Sequence, residues 1–273
     1  MNLMIKPYYR TVLIYLIFAS LWIYFSDALV AALFRSPEMI TQVQSLKGFA
    51  FVGCTALLLL FLTRADVNRI ELANLNLRKS YDQTLKGWVQ VMDIRHKETG
   101  EHSLRVTRMT VKLAALLGID GDELTCLARG ALMHDAGKVG IPDTILIKPG
   151  PLDDKEWAIM TQHPVIARDM MKDIGFLQPS IDIPYSHHER WNGTGYPQGL
   201  AGEQIPLAAR IFAIIDVWDA LSEHRVYRQA WPEDEVLLYI SEQAGIHFDP
   251  EIVEVFLEHY DEIKEAALHP SYF

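Results

Sequence analysis

The chain has 273 residues, half of them apolar, with 25 Lys and Arg, 35 Asp and Glu, and two cysteines. That length holds one sizeable core and an accessory segment, and Cys54 and Cys126 exclude a disulfide framework and fit a reducing cytoplasm. Up to Arg64 there are five basic and two acidic residues, leaving 20 basic against 33 acidic beyond it, a balance that excludes a nucleic-acid duplex as partner but admits a small anionic ligand held through metal ions.

The accessory segment comes first. Thr11 to Ser26 carries no charge, and after Asp27 the apolar run resumes to Phe34, enough for the ~20 residues of a membrane span. The uncharged run Gly48 to Thr63 makes ~24 Å of helix, short of the ~30 Å bilayer core, and extension back to Val43 with Lys47 snorkelling closes the gap. Residues 1–64 are therefore expected to form a two-helix membrane anchor, about 11–34 and 44–63, with an outer loop of about a dozen residues. Lys6 and Arg10 precede the first span, Arg64, Arg69, Arg78 and Lys79 follow the second, and only Arg35 and Lys47 flank the connection, so both termini are expected in the cytoplasm. Asp27 belongs near the outer surface or between helices. Two buried core helices, or a signal peptide cleaved near Ala32, are the competing readings.

Residues 65–92 read as a coiled-coil-like linker. Val67, Asn74, Tyr81 and Trp88 share one seam position, and Ile70, Leu77, Thr84 and Val91 share the other, a pattern that predicts a parallel homodimer through 67–91. The alternative packs the stripe on the same chain. The remainder, 87–273, reads as all-α. Helices are expected over 102–117 and 122–134, from Asp153 with Glu156 as its capping partner, over 165–174 after an interruption at Pro164, and over 207–222, 233–244 and 250–265, the last opened by Asp249 and Pro250.

The chemistry-bearing residues recur along this helical part. Glu98 and His102 are four apart; His134-Asp135 closes an apolar helix; His163 precedes Pro164; Asp216 interrupts the apolar run ARIFAIIDVWDAL. A buried carboxylate there requires a cation or hydrogen-bond partner, and its rival Asp219 is expected behind it or facing solvent. His187 and His188 are adjacent, hence ~100° apart on a helix, and are expected to flank two ions rather than share one. The loop after them contains Gly193, Gly195, Pro197 and Gly199, suited to tight turns and close backbone approach. Five histidines and three carboxylates without cysteine suit iron or manganese better than structural zinc. Eight ligands exceed the needs of one ion, so two or three divalent ions bridged by a carboxylate such as Asp135 use them naturally.

The ordered set KETGEHSLRV, LMHDAGKVGIPDTILIKPGPL, QHP at 162–164, HHERWNGTGYP, IIDVWDAL and GIHFDPEIVEVF resembles the HD-GYP family of bacterial cyclic di-GMP phosphodiesterases, over roughly Gly87 to His259. The resemblance implies a helical phosphohydrolase domain with His134, Asp135, His163, His187, His188 and Asp216 as metal ligands. It adds Glu98 and His102 as the extra ligands of trinuclear members. It implies catalytic roles for Asp135 and Lys138, and substrate contacts from Lys138, Arg190, Gly195, Tyr196, Pro197, Arg225 and Arg228. Val226 stands where the family commonly has a proline, which loosens the loop aiming Arg225; Ala167 replaces a frequent glycine and should matter little. With the chemistry of such sites, the resemblance implies attack of a metal-bridging hydroxide on phosphorus, giving the linear dinucleotide or GMP. It places the protein at a bacterial inner membrane, with the catalytic domain in the cytoplasm and contacts with diguanylate cyclase proteins. A silent cyclic di-GMP receptor, a diiron oxygenase of the same fold and a hydrolase of a mixed cyclic dinucleotide are the alternatives.

Overall fold

The computed structural model describes residues 6–96, 102–223 and 229–268. The chain divides into two compact units, Met1–Ser80 and Tyr81–Phe273.

The first unit contains α1 (Pro7–Leu33) and most of α2 (Pro37–His96). Both helices are long and apolar enough to cross a membrane, and Leu16, Ile17, Leu21, Phe49, Leu57 and Phe61 are exposed on them. The connection between the two apolar helices is mostly helical: Phe34 to Ser36 lie outside both, and α2 already begins at Pro37. A proline at the first helical position costs no hydrogen bond, and Ser36 accepts the first helical N–H, that of Ile40. The Lys47 ammonium pairs with Asp27, as Arg10 pairs with Asp66. Each apolar helix thus carries its charge neutralised by the other.

In the second unit, the last turns of α2 bury Leu85 and Val89 against Leu132, Met133, Ala136, Met171 and Leu177. Arg129 reaches back to Asp82, 2.8 Å away, and Tyr81 stacks on Phe176. The buried stripe is therefore Leu85 and Val89, whereas seam residues Val67, Ile70, Leu77, Trp88 and Val91 remain exposed.

The main core gathers α3 (His102–Leu116), α4 (Gly121–Leu132), α9 (Leu207–Ser222), α10 (Glu233–Glu242), α11 (Pro250–Glu258) and α12 (Tyr260–Ala266). α9 is apolar nearly all round and lies buried over most of its length, as that pattern requires. Thr107 and Thr110 are buried in α3 because each hydroxyl donates to the carbonyl four residues earlier. Shorter pieces complete the shell: a 3-10 turn Ala136–Gly140, α5 (Asp143–Leu146), α6 (Asp154–Met160), α7 (His163–Met171) and α8 (Asp182–Ser186). No strand occurs among the described residues, only isolated bridges between Asn192 and Ala201 and between Ala244 and Phe248.

Two expected caps are present: Asp153 and Glu156 form a reciprocal capping box on α6, and Asp249 accepts from the Glu251 N–H at the start of α11. Pro164 does not interrupt a helix; it lies in the first turn of α7, where its missing N–H is harmless. The helix expected over 250–265 is broken at His259 into α11 and α12.

Candidate metal centre

Two groups of ligand-type side chains form inside the second unit: His163, His187 and His188, and His102, His134 and Asp216, each with its ligand atoms within 4.8 Å of one another. Asp135 stands between them. One carboxylate oxygen is 3.1 Å from His134 Nε2, and the other is 3.5 Å from His163 Nε2 and 3.9 Å from His187 Nε2.

The local fold explains this convergence. α4 ends at Leu132, so His134 and Asp135 leave the helix at its buried end and enter the 3-10 turn. That turn lies against the start of α7 because Gly137 has no side chain: a Cβ there would sit 1.8 Å from the His163 carbonyl oxygen and 2.6 Å from the Ala167 nitrogen. α8 is only five residues long, and His187 is its C-cap. His188 is therefore off the helix, so the angular spacing expected to set it and His187 against two ions does not apply to them. Their ring centroids are 4.0 Å apart and both join His163 in one group.

The second nitrogen of four of the five imidazoles is held in turn. Nδ1 of His134 lies 2.9 Å from Ala131 O, that of His163 is 2.9 Å from Met160 O, and that of His187 is 3.1 Å from Ile183 O. Nδ1 of His102 is 2.7 Å from Asp219. A carbonyl can only accept, so Nδ1 of His134, His163 and His187 carries a proton, which leaves Nε2 of the neutral His163 and His187 rings a lone pair. Imidazoles oriented this way are the usual form of metal-ligating histidine. His163 Nε2 and His187 Nε2 are 3.4 Å apart, a spacing at which two lone pairs gain from a shared cation.

The electrostatics agree. Burial, reinforced by neighbouring imidazoles, pushes His187 and His188 well below the usual histidine range, and burial also lowers His163, so these rings are neutral donors. Burial acts the same way on His134, but Asp135 and Asp216 outweigh it and lift that ring to about 9, marking where positive charge is most attracted. Burial would raise Asp135, yet the Lys138 ammonium and His134 hold its carboxyl well below the carboxylate range.

Residues matched by an HD domain model run from 86 to 252 and enclose the described members of both groups. The chain belongs to the HD domain family. Its motifs and its relatives place it in the HD-GYP branch. Over 189 residues it is 39% identical to a protein of Vibrio cholerae serotype O1 named 3'3'-cGAMP-specific phosphodiesterase 2, covering 68% of this chain and 36% of that protein. Over 223 residues it is 36% identical to a cyclic di-GMP phosphodiesterase of the same organism, covering 76% of this chain and 45% of that one. The chain thus spans between a third and a half of these curated relatives. The crystal structure of a cyclic GMP-AMP specific phosphodiesterase of V. cholerae superposes with a TM-score of 0.53 at 19% identity, covering 68% of this chain and 51% of that one, and has the same fold.

Within this HD domain, Lys138 pairs with Asp135. Tyr196 stacks on His188 at 4.7 Å, and Arg190 is exposed. Gly195 is packed so tightly that a Cβ would come within 2.4 Å of the Arg190 nitrogen and Glu189 Cα; with Pro197 it carries Tyr196 past the histidines. Glu98, Arg225 and Arg228 lie outside the described residues. Asp219 is not solvent-facing: it is 1% exposed and receives Arg105 as well as His102.

Sequence reasoning missed three supports. Arg105 is one, bound to Asp219. Buried Glu189 accepts from the N–H groups of Gln198 and Leu200 and so ties down the loop; its place directly after His187-His188 was the available signal. Arg95, near the end of α2, donates to the carbonyls of Val139 and Ile141 and to Asp143, gripping the segment that carries Lys138. Nothing in its sequence neighbourhood announces that role.

Asp219→Asn should keep the volume and lose the carboxylate that fixes His102. The expected result is a roughly 10- to 100-fold weaker affinity for the most weakly held ion, read by competition with a fluorescent chelator. Unchanged affinity would mean that Asp219 does not orient His102.

Proposed function

We propose that this chain is a metal-dependent phosphodiesterase of cyclic dinucleotides, with cyclic di-GMP as the first substrate to consider. The observation that carries the reading is the convergence of anchored imidazole Nε2 atoms on both sides of Asp135. His163, His187 and His188 would hold one ion; His102, His134 and Asp216 a second; and Asp135 would bridge them, with Glu98 available for a third. The mixture of imidazole and carboxylate suits iron or manganese. When bound, such ions supply Lewis acidity toward phosphate and make a water acidic enough to react at neutral pH.

The chain's own residues do the rest. The Lys138 ammonium, tied to Asp135, is placed to donate to a non-bridging phosphate oxygen as charge grows there. Burial raises the Tyr196 phenol above its ordinary range, so it stays protonated as a hydrogen-bond donor. Glu189 keeps the 193–199 loop against the histidines, and Arg190, Arg225 and Arg228 are assigned to the second phosphate. Products are the linear dinucleotide, GMP, or both in succession. The relatives' names support both cyclic di-GMP and 3'3'-cGAMP as candidates.

The anchor reading belongs to the same proposal: α1 and the first half of α2 cross a bacterial inner membrane, with the catalytic domain in the cytoplasm. The exposed seam of α2 pairs two chains. Movement of that helix reaches the Lys138 segment through Arg95, which is how a membrane event or a bound diguanylate cyclase would act.

The test uses the full chain in detergent, prepared without oxygen and loaded with iron or manganese. Each cyclic dinucleotide is supplied and the products are resolved chromatographically over time. Appearance of linear dinucleotide or GMP is expected. A folded, metal-loaded protein that leaves both nucleotides intact, or consumes them only with oxygen present, would overturn the reading.

A further inference from the structure

The histidine cluster does not end at the ligand groups; aromatic rings continue it outward. His188 meets His163 edge-on at 5.1 Å, Tyr196 stacks on His188 at 4.7 Å, and Trp157 meets Tyr196 edge-on at 6.1 Å. The outermost ring is the exposed one: Trp157 is 52% accessible. A single exposed indole is unremarkable on a protein surface. What distinguishes this one is how it is tied to the site.

Trp157 lies on α6, three residues before Met160 and so on the same helical face. The Met160 carbonyl anchors Nδ1 of His163. The same short helix thus positions a ligand-type histidine at one end and the indole beside it. α6 itself is fixed at its start by the reciprocal Asp153 and Glu156 cap and by Lys148 on Glu156, and at its end by the Thr161 N–H on the Trp157 carbonyl.

We infer that Trp157 is a specificity-determining residue whose indole face stacks on a purine base of the substrate. The inference rests on the cyclic dinucleotide reading. A scissile phosphate at the ligand groups leaves its attached base one ribose away, and Trp157 is the exposed end of the ring series that starts at those groups. Stacking on an aromatic side chain favours any base and favours the larger bicyclic purines through area and dispersion. It also acts in the bound complex and in the reacting one alike, so it belongs to binding rather than to the chemical step.

The experiment compares wild type, Trp157→Ala, Trp157→Leu and Trp157→Phe in the full chain, metal-loaded, with ion content measured for each. Two readouts are taken: turnover of cyclic di-GMP, and the dissociation constant of its bis-phosphorothioate analogue. Trp157→Ala and Trp157→Leu should weaken binding and raise KM by roughly 5- to 140-fold, with kcat within about twofold, as expected for uniform binding, and the same ion content. Trp157→Phe should recover most of the loss, because an aromatic face is restored and an apolar one is not enough. Equal binding by all four proteins overturns the inference, and so does a loss in Trp157→Ala that tracks lost metal. If wild type binds the analogue and hydrolyses nothing, the phosphodiesterase reading fails, yet a Trp157-dependent dissociation constant still supports stacking. If wild type does not bind the analogue, both are wrong.

Discussion

Asp135→Asn is expected to lower kcat/KM for cyclic dinucleotide hydrolysis by at least roughly a thousandfold, while the domain stays folded. Among the described residues, Asp135 is the side chain with an oxygen toward each ligand group: Oδ2 is 3.1 Å from His134, and Oδ1 is 3.5 Å from His163 and 3.9 Å from His187. Asparagine keeps the shape but presents one oxygen and one N–H group, and an N–H cannot bridge cations. It also removes the charge that faces Lys138. Charge stabilisation by bound ions contributes several kcal/mol to such reactions, and each ~1.36 kcal/mol is tenfold in rate. Kinetics, ion content and circular dichroism measured together check it. Retained activity with full ion content would remove Asp135 from the centre.

The second large effect falls on a residue with no chemistry of its own. Gly137→Ala places a methyl 1.8 Å from the His163 carbonyl oxygen and 2.6 Å from the Ala167 nitrogen, both backbone atoms. Neither can rotate aside, so α7 must withdraw from the 3-10 turn and take His163 away from Asp135. Overpacking of this kind costs ~1–3 kcal/mol or more, which corresponds to a melting point lower by roughly 2–12 °C in a domain of this size. Displacement of a reacting group by ~1 Å costs about a hundredfold in rate. Gly140→Ala is the control: the nearest atoms to its added Cβ belong to the Ile166 side chain, at 3.0 Å and beyond, which can shift, and activity should stay within a few-fold of wild type. Equal stability and activity in Gly137→Ala would show that the contact is not required. Ala167, whose backbone nitrogen forms part of that contact, is fully buried.

The helical class and the ligand-type residues were legible because their signals are local. His134-Asp135 follows an apolar helix, Asp153 and Glu156 form the expected cap, and α9 is apolar around its circumference. The adjacent histidines misled because the ~100° rule holds only inside a helix, and α8 stops at Ser186. Five residues are too few to show a period. The short link between α1 and α2 was hidden for a related reason: the polar stretch from Pro37 to Lys47 is helical despite its composition, and Lys47 finds Asp27 across the pair. Arg95 and Arg105 could not be read at all, and Glu189 had only its place after the two histidines as a signal. An arginine on two carbonyls and a carboxylate, or a glutamate on two loop N–H groups, is defined by partners brought together only by folding.

The most direct test of the metal centre is an ion titration of activity on the full chain, stripped with chelator and returned stepwise to iron or manganese without oxygen. Hydrolysis of cyclic di-GMP should be absent in the stripped protein, should appear only as both ligand groups fill, and should level off at two or three bound ions per chain. Hydrolysis by the stripped protein at the rate of the loaded one would contradict the account.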